Sequence, residues 1–334
     1  MKNILYIAII LLLSSCFKEE DKRNQIGGID SISMKLGEDY ANVFYYNLNT
    51  QKIVSQNLWS DWDLAFYAQA DQYYIKLSDG ANMKAYNTQN SNFEAVTSLD
   101  PNWKSIVDDA TGNLNNLALQ FEIDFIKGDS TFYKPKVYVL LLGSDALGNE
   151  LGYKKFTLLY TYLNQYAIKF SNLDNSETYT SKVLKDVTVN YVHFKFDNGG
   201  KQLLIEPDKS TWDIVFTRST DITITNDFTD TIFDYSVTSV LLNQTYTRAY
   251  LEKEIAFDDI STANINNSAF TNQLNIIGYD FKAFSLTTGV YTVRKDRSYV
   301  VKDINDFYYK IKFTDFYDPD TNLKGTISFT YEIL

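Results

Sequence analysis

The sequence predicts an all-β protein: two related antiparallel units, each a β-sandwich or a flattened barrel. Three observations carry this. Tyr (26) and Phe (22) are abundant and Pro is rare (4) among 334 residues, 45% of them hydrophobic. Aromatic and β-branched residues suit pleated, half-buried surfaces. Apolar residues alternate with period two in "SDWDLAF" (60–66) and "STWDIVF" (210–216), the pattern of a strand with one buried face. These two segments nearly repeat one another, and a chain of this length has room for two ordinary domains.

The first element, residues 1–15, reads as a lipoprotein signal peptide. Lys2 supplies a positive start, Ile4 to Leu13 form an apolar run, and two serines precede Cys16. Ten apolar residues are too few to span a bilayer and suit a signal-peptide core. The "LSSC" ending resembles a bacterial lipobox, which makes Cys16 the expected lipidated first residue of the mature chain. Cys16 is the single cysteine, so thiol catalysis, disulfides and cysteine-based metal sites are excluded.

Residues 16–28 form the second element. "FKEEDKRNQIGG" is charged and lacks hydrophobic periodicity, as a flexible tether does. Twelve such residues reach about 40 Å at most. The "KEE" at 18–20 resembles the signal that sends Bacteroidetes-type lipoproteins to the outer face of the outer membrane. An outer-membrane, lipid-anchored and surface-exposed location is therefore expected.

Residues 29–185 and 186–334 are the expected two copies of the β unit. "YANVFYYNLNTQKIVSQNLW" precedes the first Trp-Asp segment and "YVHFKFDNGGKQLLIEPDKS" precedes the second. Both read as strand, polar turn, strand, and "DNGG" is a strong turn signal. A second echo follows further along: "YKKFTLLYTYLNQYAIKF" (153–170) and "YYKIKFTDFYDPDTNLKGTISFTYEIL" (308–334) both read as hairpins. Two anchors at similar spacing argue for an internal repeat. Within each Trp-Asp segment, Trp62, Leu64 and Phe66 are expected on one face, as are Trp212, Ile214 and Phe216. Residues 221–244 read as two strands around an acidic turn, 101–112 as a short helix, and the Asn-rich 261–275 as a loop.

Charge and residue inventory limit the function. The net charge of −11 argues against a nucleic-acid partner, which needs a basic footprint. One histidine and no mature cysteine leave almost no material for a nucleophile–base pair. Carboxylate pairs are not singled out by any spacing, and "DPDTN" (318–322) lacks the glycine and glutamate of a calcium loop. No enzyme and no metal site are expected.

"VFYYNL", "SDWDLAF", "IKLSDGANMKAYNT", "LGYKKFTLL" with "YAIKFSNLD", "EPDKSTWDIVFTR" and the closing "YKIKFTDFYD…GTISFTYEIL" together resemble the HmuY-like family. These are Bacteroidetes lipoproteins whose founding members bind haem. The resemblance implies a lipid-anchored surface protein that captures haem or another small hydrophobic ligand, with an outer-membrane transporter as a partner. It also implies a pair of axial ligands, His–His or His with Met. This chain has one histidine, His193, so a bis-His site within one molecule is excluded. In "YVHFKF", His193 falls on the face opposite Val192, Phe194 and Phe196, and is expected to face solvent. Met83, on a glycine-bearing turn, is the preferred non-His ligand, and Lys154 with Lys155 could meet propionates. The alternative function is a non-catalytic adhesion or accessory lipoprotein that binds glycan or a transporter and no haem.

Overall fold

A computed structural model describes residues 30–145, 148–226, 231–285 and 287–334. The signal peptide, Cys16 and the tether lie outside the described residues. Among those described, the elements are strands and short 3-10 turns, and no helix is long and apolar enough to cross a membrane.

The strands build two outer and two inner antiparallel sheets, with one small hairpin, Lys282–Ser285 with Val290–Val293. The first inner sheet runs in the order Lys201–Leu203, Tyr191–Lys195, Leu64–Tyr67, Ile75–Leu77. The second runs Thr231–Leu242, Ile214–Asn226, Asn42–Asn47, Lys52–Leu58. An eight-stranded outer sheet contains the Tyr153–Tyr162 and Gln165–Ser171 hairpin. A five-stranded outer sheet contains Tyr308–Tyr317 and Lys324–Ile333. Both closing hairpins read from the sequence are thus present. Residues 221–244 form the expected strands; the turn at 227–230 lies outside the described residues.

Each inner sheet buries one face against one outer sheet. Leu64, Phe66, Ile75, Leu77, Val192 and Phe194 pack with Tyr138, Phe156, Ile168 and Phe170 of the eight-stranded sheet. Phe44, Tyr46, Ile214 and Phe216 pack with Tyr309, Ile311, Phe313 and Phe329 of the five-stranded sheet. Period-two alternation supplies these faces directly, since side chains two apart share one side of a strand. In the "DNGG" turn, Gly200 has φ +98°, and a Cβ there would lie 2.2 Å from the Phe194 ring. Only glycine fits that turn while Phe194 stays in the core.

The division expected near residue 185 is not a division of the sheets. Tyr191–Lys195 pairs with Leu64–Tyr67, Ile214–Asn226 pairs with Asn42–Asn47, and Asp30–Lys35 pairs with Lys324–Ile333. Each Trp-Asp strand is therefore completed by a hairpin from the other half of the chain. The aspartates fasten these crossings. Asp63 Oδ2 accepts the Phe196 N–H at 2.8 Å, and the Asp63 N–H reaches the Phe194 carbonyl at 2.8 Å. Asp213 Oδ2 accepts the Leu48 N–H at 2.7 Å, and its N–H reaches the Tyr46 carbonyl at 2.9 Å. Phe194 and Phe196 thus stand to Asp63 as Tyr46 and Leu48 stand to Asp213.

Residues 101–112 do not form the expected helix. They hold the two-residue strand Ser105–Ile106 and turns, and Asp108 ties them down by accepting the Leu77 and Ala118 N–H groups at 2.8 Å each.

Candidate functional site

The free faces of the two inner sheets enclose a cavity of about 1040 Å³. The register explains which residues meet there. In the first inner sheet Tyr191 pairs with Tyr67 and His193 with Ala65, which in turn pairs with Lys76. Directly opposed residues share a face, and all five line the cavity. In the second, Tyr45 pairs with Val215, and Val215 with Leu241; these also line it. Exposed Asn113, Asn115 and Asn272 stand at its rim. Gln244 Nε2 joins the two rim loops, donating to the Thr111 carbonyl at 3.4 Å and the Asn272 carbonyl at 3.1 Å.

Three of the chain's four tryptophans, Trp59, Trp62 and Trp212, line this space. Trp212 is 5% exposed and meets Tyr45 edge-on at 4.9 Å. Trp59 lies under Arg218, whose guanidinium carbon is 4.6 Å from the ring centroid. Gly80 keeps this wall tight, because a Cβ there would come within 2.6 Å of the Trp59 Cβ. Both motif tryptophans depart from the expected face: Trp212 lies with the first core and the cavity while Ile214 and Phe216 lie in the second core, and Trp62 leaves the face of Leu64 and Phe66. The chain bends at Asp63 before the strand begins at Leu64. Leu64 and Phe66 enter the core, while Trp62 stays half-buried against His193 at 4.7 Å.

His193 is not solvent-facing as expected; it is 5% exposed. Alternation separates the two faces of a strand, and here the second face turns to the cavity and Trp62 rather than to bulk water. Burial, aided by the Lys76 charge, pushes the imidazole down to about 3, so it is neutral at pH 7. Its Nδ1 has no hydrogen-bond partner.

Met83 lies elsewhere. It is 3% exposed and belongs to the first core, where a flexible thioether fills space. It does not line the cavity, so the two ligand candidates are not brought together. Lys154 and Lys155 are also committed away from it. Lys154 Nζ donates to Asn172 at 2.6 Å and pairs with Glu177 at 2.9 Å. Lys155 is fully buried, with Nζ donating to the carbonyls of Phe93 at 3.0 Å and Val96 at 2.8 Å. Lys310 occupies the same place in the other closing hairpin, donating to the Ile260 carbonyl at 3.3 Å. Both lysines are structural pins.

The wall holds few charged groups. Lys76 and Arg218 are cationic, Asp79 and Glu206 anionic, and these are the charged lining residues. Lys76 Nζ is 3.6 Å from Asp79 Oδ2. Burial holds Glu206 up at about 7, although its carboxylate accepts the N–H groups of Asn190 at 3.0 Å and Tyr191 at 2.9 Å. Burial likewise raises the phenols of Tyr67 and Tyr191 above their ordinary value, which disfavours tyrosinate at neutral pH. Among the described residues, no three His, Cys, Asp or Glu side chains cluster as a metal site would require.

Sequence reasoning singled out His193 but missed Trp59, Tyr67, Lys76, Glu206 and Arg218. The one available signal was the parity of each strand: residues opposite a strongly apolar face belong either to solvent or to a second buried surface.

An all-β scaffold with a large, aromatic-lined cavity between two sheets defines a ligand-binding protein. The chain belongs to the HmuY protein family, whose profile matches residues 39–331. Among solved structures it is similar to apo PinO from Porphyromonas gingivitis, at 13% identity and a TM-score of 0.35, covering 92% of this chain and 97% of that one. It is also similar to the apo HmuY analog of Tannerella forsythia, at 11% identity and a TM-score of 0.25, covering 92% and 95%. A comparison with curated protein sequences finds no match.

Proposed function

We propose that the chain is a lipid-anchored, surface-exposed outer-membrane protein that captures a small ligand in the cavity between its inner sheets. The observation that supports this is the polar deficit of the cavity wall. Asn57, Trp59, Gln69, His193 and Trp212 all line the cavity, and each has a buried side-chain N or O without a partner. A desolvated, unpaired polar atom costs about 1–3 kcal/mol, and a bound ligand is one way to recover it.

Haem fits only in part. His193 would hold the iron, and its low pKa leaves the imidazole free to coordinate at pH 7. The second axial ligand that the family resemblance implies has no counterpart here, because Met83 is in the core. Bound haem would supply an iron centre for one imidazole; this chain's part would be to orient that ring, with Trp62 packed against it. An accessory role at the cell surface has separate support. The hairpin Ile123–Lys127 with Ser130–Tyr133 exposes Ile123 (53%), Phe125 (50%) and Ile126 (67%), apolar surface suited to a partner such as an outer-membrane transporter.

Two measurements test the proposal. Calorimetric titration of the mature chain with haemin and with uncharged oligosaccharides should give a saturable response to at least one; no response to any probe rejects capture. Cys16→Ala should move the protein from the membrane fraction to the soluble fraction. Unchanged detergent-dependent fractionation rejects the anchor.

A further inference from the structure

We infer that the ligand of this cavity is a neutral oligosaccharide. This rests on the capture reading above and deepens it. Three properties of the wall point the same way.

The first is charge. Both cations of the lining are already engaged: Lys76 stands 3.6 Å from Asp79, and Arg218 lies over the Trp59 ring. A ligand bearing carboxylates or phosphates would need surplus cations, which this wall does not offer. A wall whose cations are both engaged suits an uncharged ligand.

The second is hydrogen-bonding character. Nine Asn and Gln side chains line the cavity, with Thr111, Thr217, Ser219 and Thr245 among them. The unpartnered atoms are of both kinds: Trp59 Nε1, Trp212 Nε1 and Gln69 Nε2 donate, while Asn57 Oδ1 accepts. A flat apolar macrocycle offers no partner to unpartnered donors and acceptors. A hydroxyl both donates and accepts, so a polyhydroxylated ligand can meet the exposed rim amides Asn115 and Asn272 whichever way they face.

The third is the aromatic surface. Trp59, Trp62 and Trp212 join Tyr45, Tyr67, Tyr74 and Tyr191 in the wall. Such rings carry a large apolar area beside a polar tip. A pyranose has the matching character, with C–H faces that stack on rings and an equator of hydroxyls. At about 1040 Å³ the cavity stands at the upper end of the roughly 300–1,000 Å³ usual for small-molecule sites, room for several linked sugars.

The test uses the mature chain and a panel of neutral hexasaccharides of glucose, mannose, xylose and N-acetylglucosamine, α- and β-linked where both exist, with haemin alongside. Binding is read by calorimetry, and location by tryptophan fluorescence. We expect at least one hexasaccharide to bind saturably and perturb the fluorescence. Trp62→Ala, at a half-buried position, should weaken that binding at least about tenfold, the loss of one stacking platform. Asn272→Ala, on the exposed rim, should weaken it without altering thermal stability. Saturable haemin binding with no hexasaccharide response overturns the saccharide assignment and leaves capture standing. No response to any probe overturns both. Hexasaccharide binding that is unchanged in both variants places the sugar outside this cavity and also overturns the assignment.

Discussion

Asp63 accepts the backbone N–H of Phe196 at 2.8 Å, across 133 residues of chain. Lys195 Nζ adds a bond to the other carboxylate oxygen at 2.8 Å. The same fastening recurs at Asp213 with Leu48, across 165 residues. The acidic residue of each repeated motif is thus a clasp on a strand donated by the other half of the chain. Asp63→Ala should cost about 1.5–3 kcal/mol, the range for hydrogen bonds to a charged group. Asp63→Asn, which keeps an acceptor, should cost less. Urea denaturation of both variants checks this; equal losses would mean that the carboxylate charge, not the acceptor, holds the strand.

The crossed pairing predicts how fragments behave. Residues 186–334 lack the Asp30–Lys35 and Asn42–Asn47 strands that complete their sheets. Residues 29–185 lack Tyr191–Lys195. Neither fragment alone should melt cooperatively, and an equimolar mixture should. Circular dichroism reads both outcomes. A cooperative transition in either isolated fragment would show that the crossed strands are dispensable.

Trp62 and Trp212 head the same motif and should respond differently to truncation. Trp212 is 5% exposed and belongs to the core, so Trp212→Ala should cost about 3–5 kcal/mol. Trp62 is half-buried beside His193, so Trp62→Ala should cost clearly less. Chemical unfolding midpoints decide it, and similar losses at the two sites would contradict the difference in burial.

His193 gives the protein an acid-sensitive contribution. Its pKa falls from 6.5 to about 3 on folding because burial, with Lys76 nearby, disfavours the cation. A group that binds protons more weakly when folded stabilises the fold above about 6.5, and that stability drains as pH falls toward 3. Wild type should therefore lose about 1–3 kcal/mol relative to His193→Phe between pH 6.5 and 4.5. Melting curves across this range check it; parallel pH profiles would mean that His193 reaches water.

Much of this was legible from residue order. The Trp-Asp strands, both closing hairpins and the "DNGG" turn follow from alternation and turn chemistry, which are local. The pairing of Asn42–Asn47 with Ile214–Asn226 leaves no local trace, because a strand's edge carries no record of its distant partner. The same limit hid the cavity. His193 and Lys155 both sit at positions that alternation assigns to the less apolar face, yet both are buried. One of those faces meets a cavity; in the other, an amine is capped by the Phe93 and Val96 carbonyls. Met83 was misread for a related reason, since a turn in sequence can still point inward.

The crossed strands also fix an order of events during synthesis. Residues 30–35 leave the ribosome long before their partner, Lys324–Ile333. The strand at 42–47 waits in the same way for residues 214–216. Distant pairings of this kind are slow to form. The five-stranded sheet therefore cannot close until residues 324–333 have been made, whereas the eight-stranded sheet, drawn wholly from residues 84–184, can form well before them.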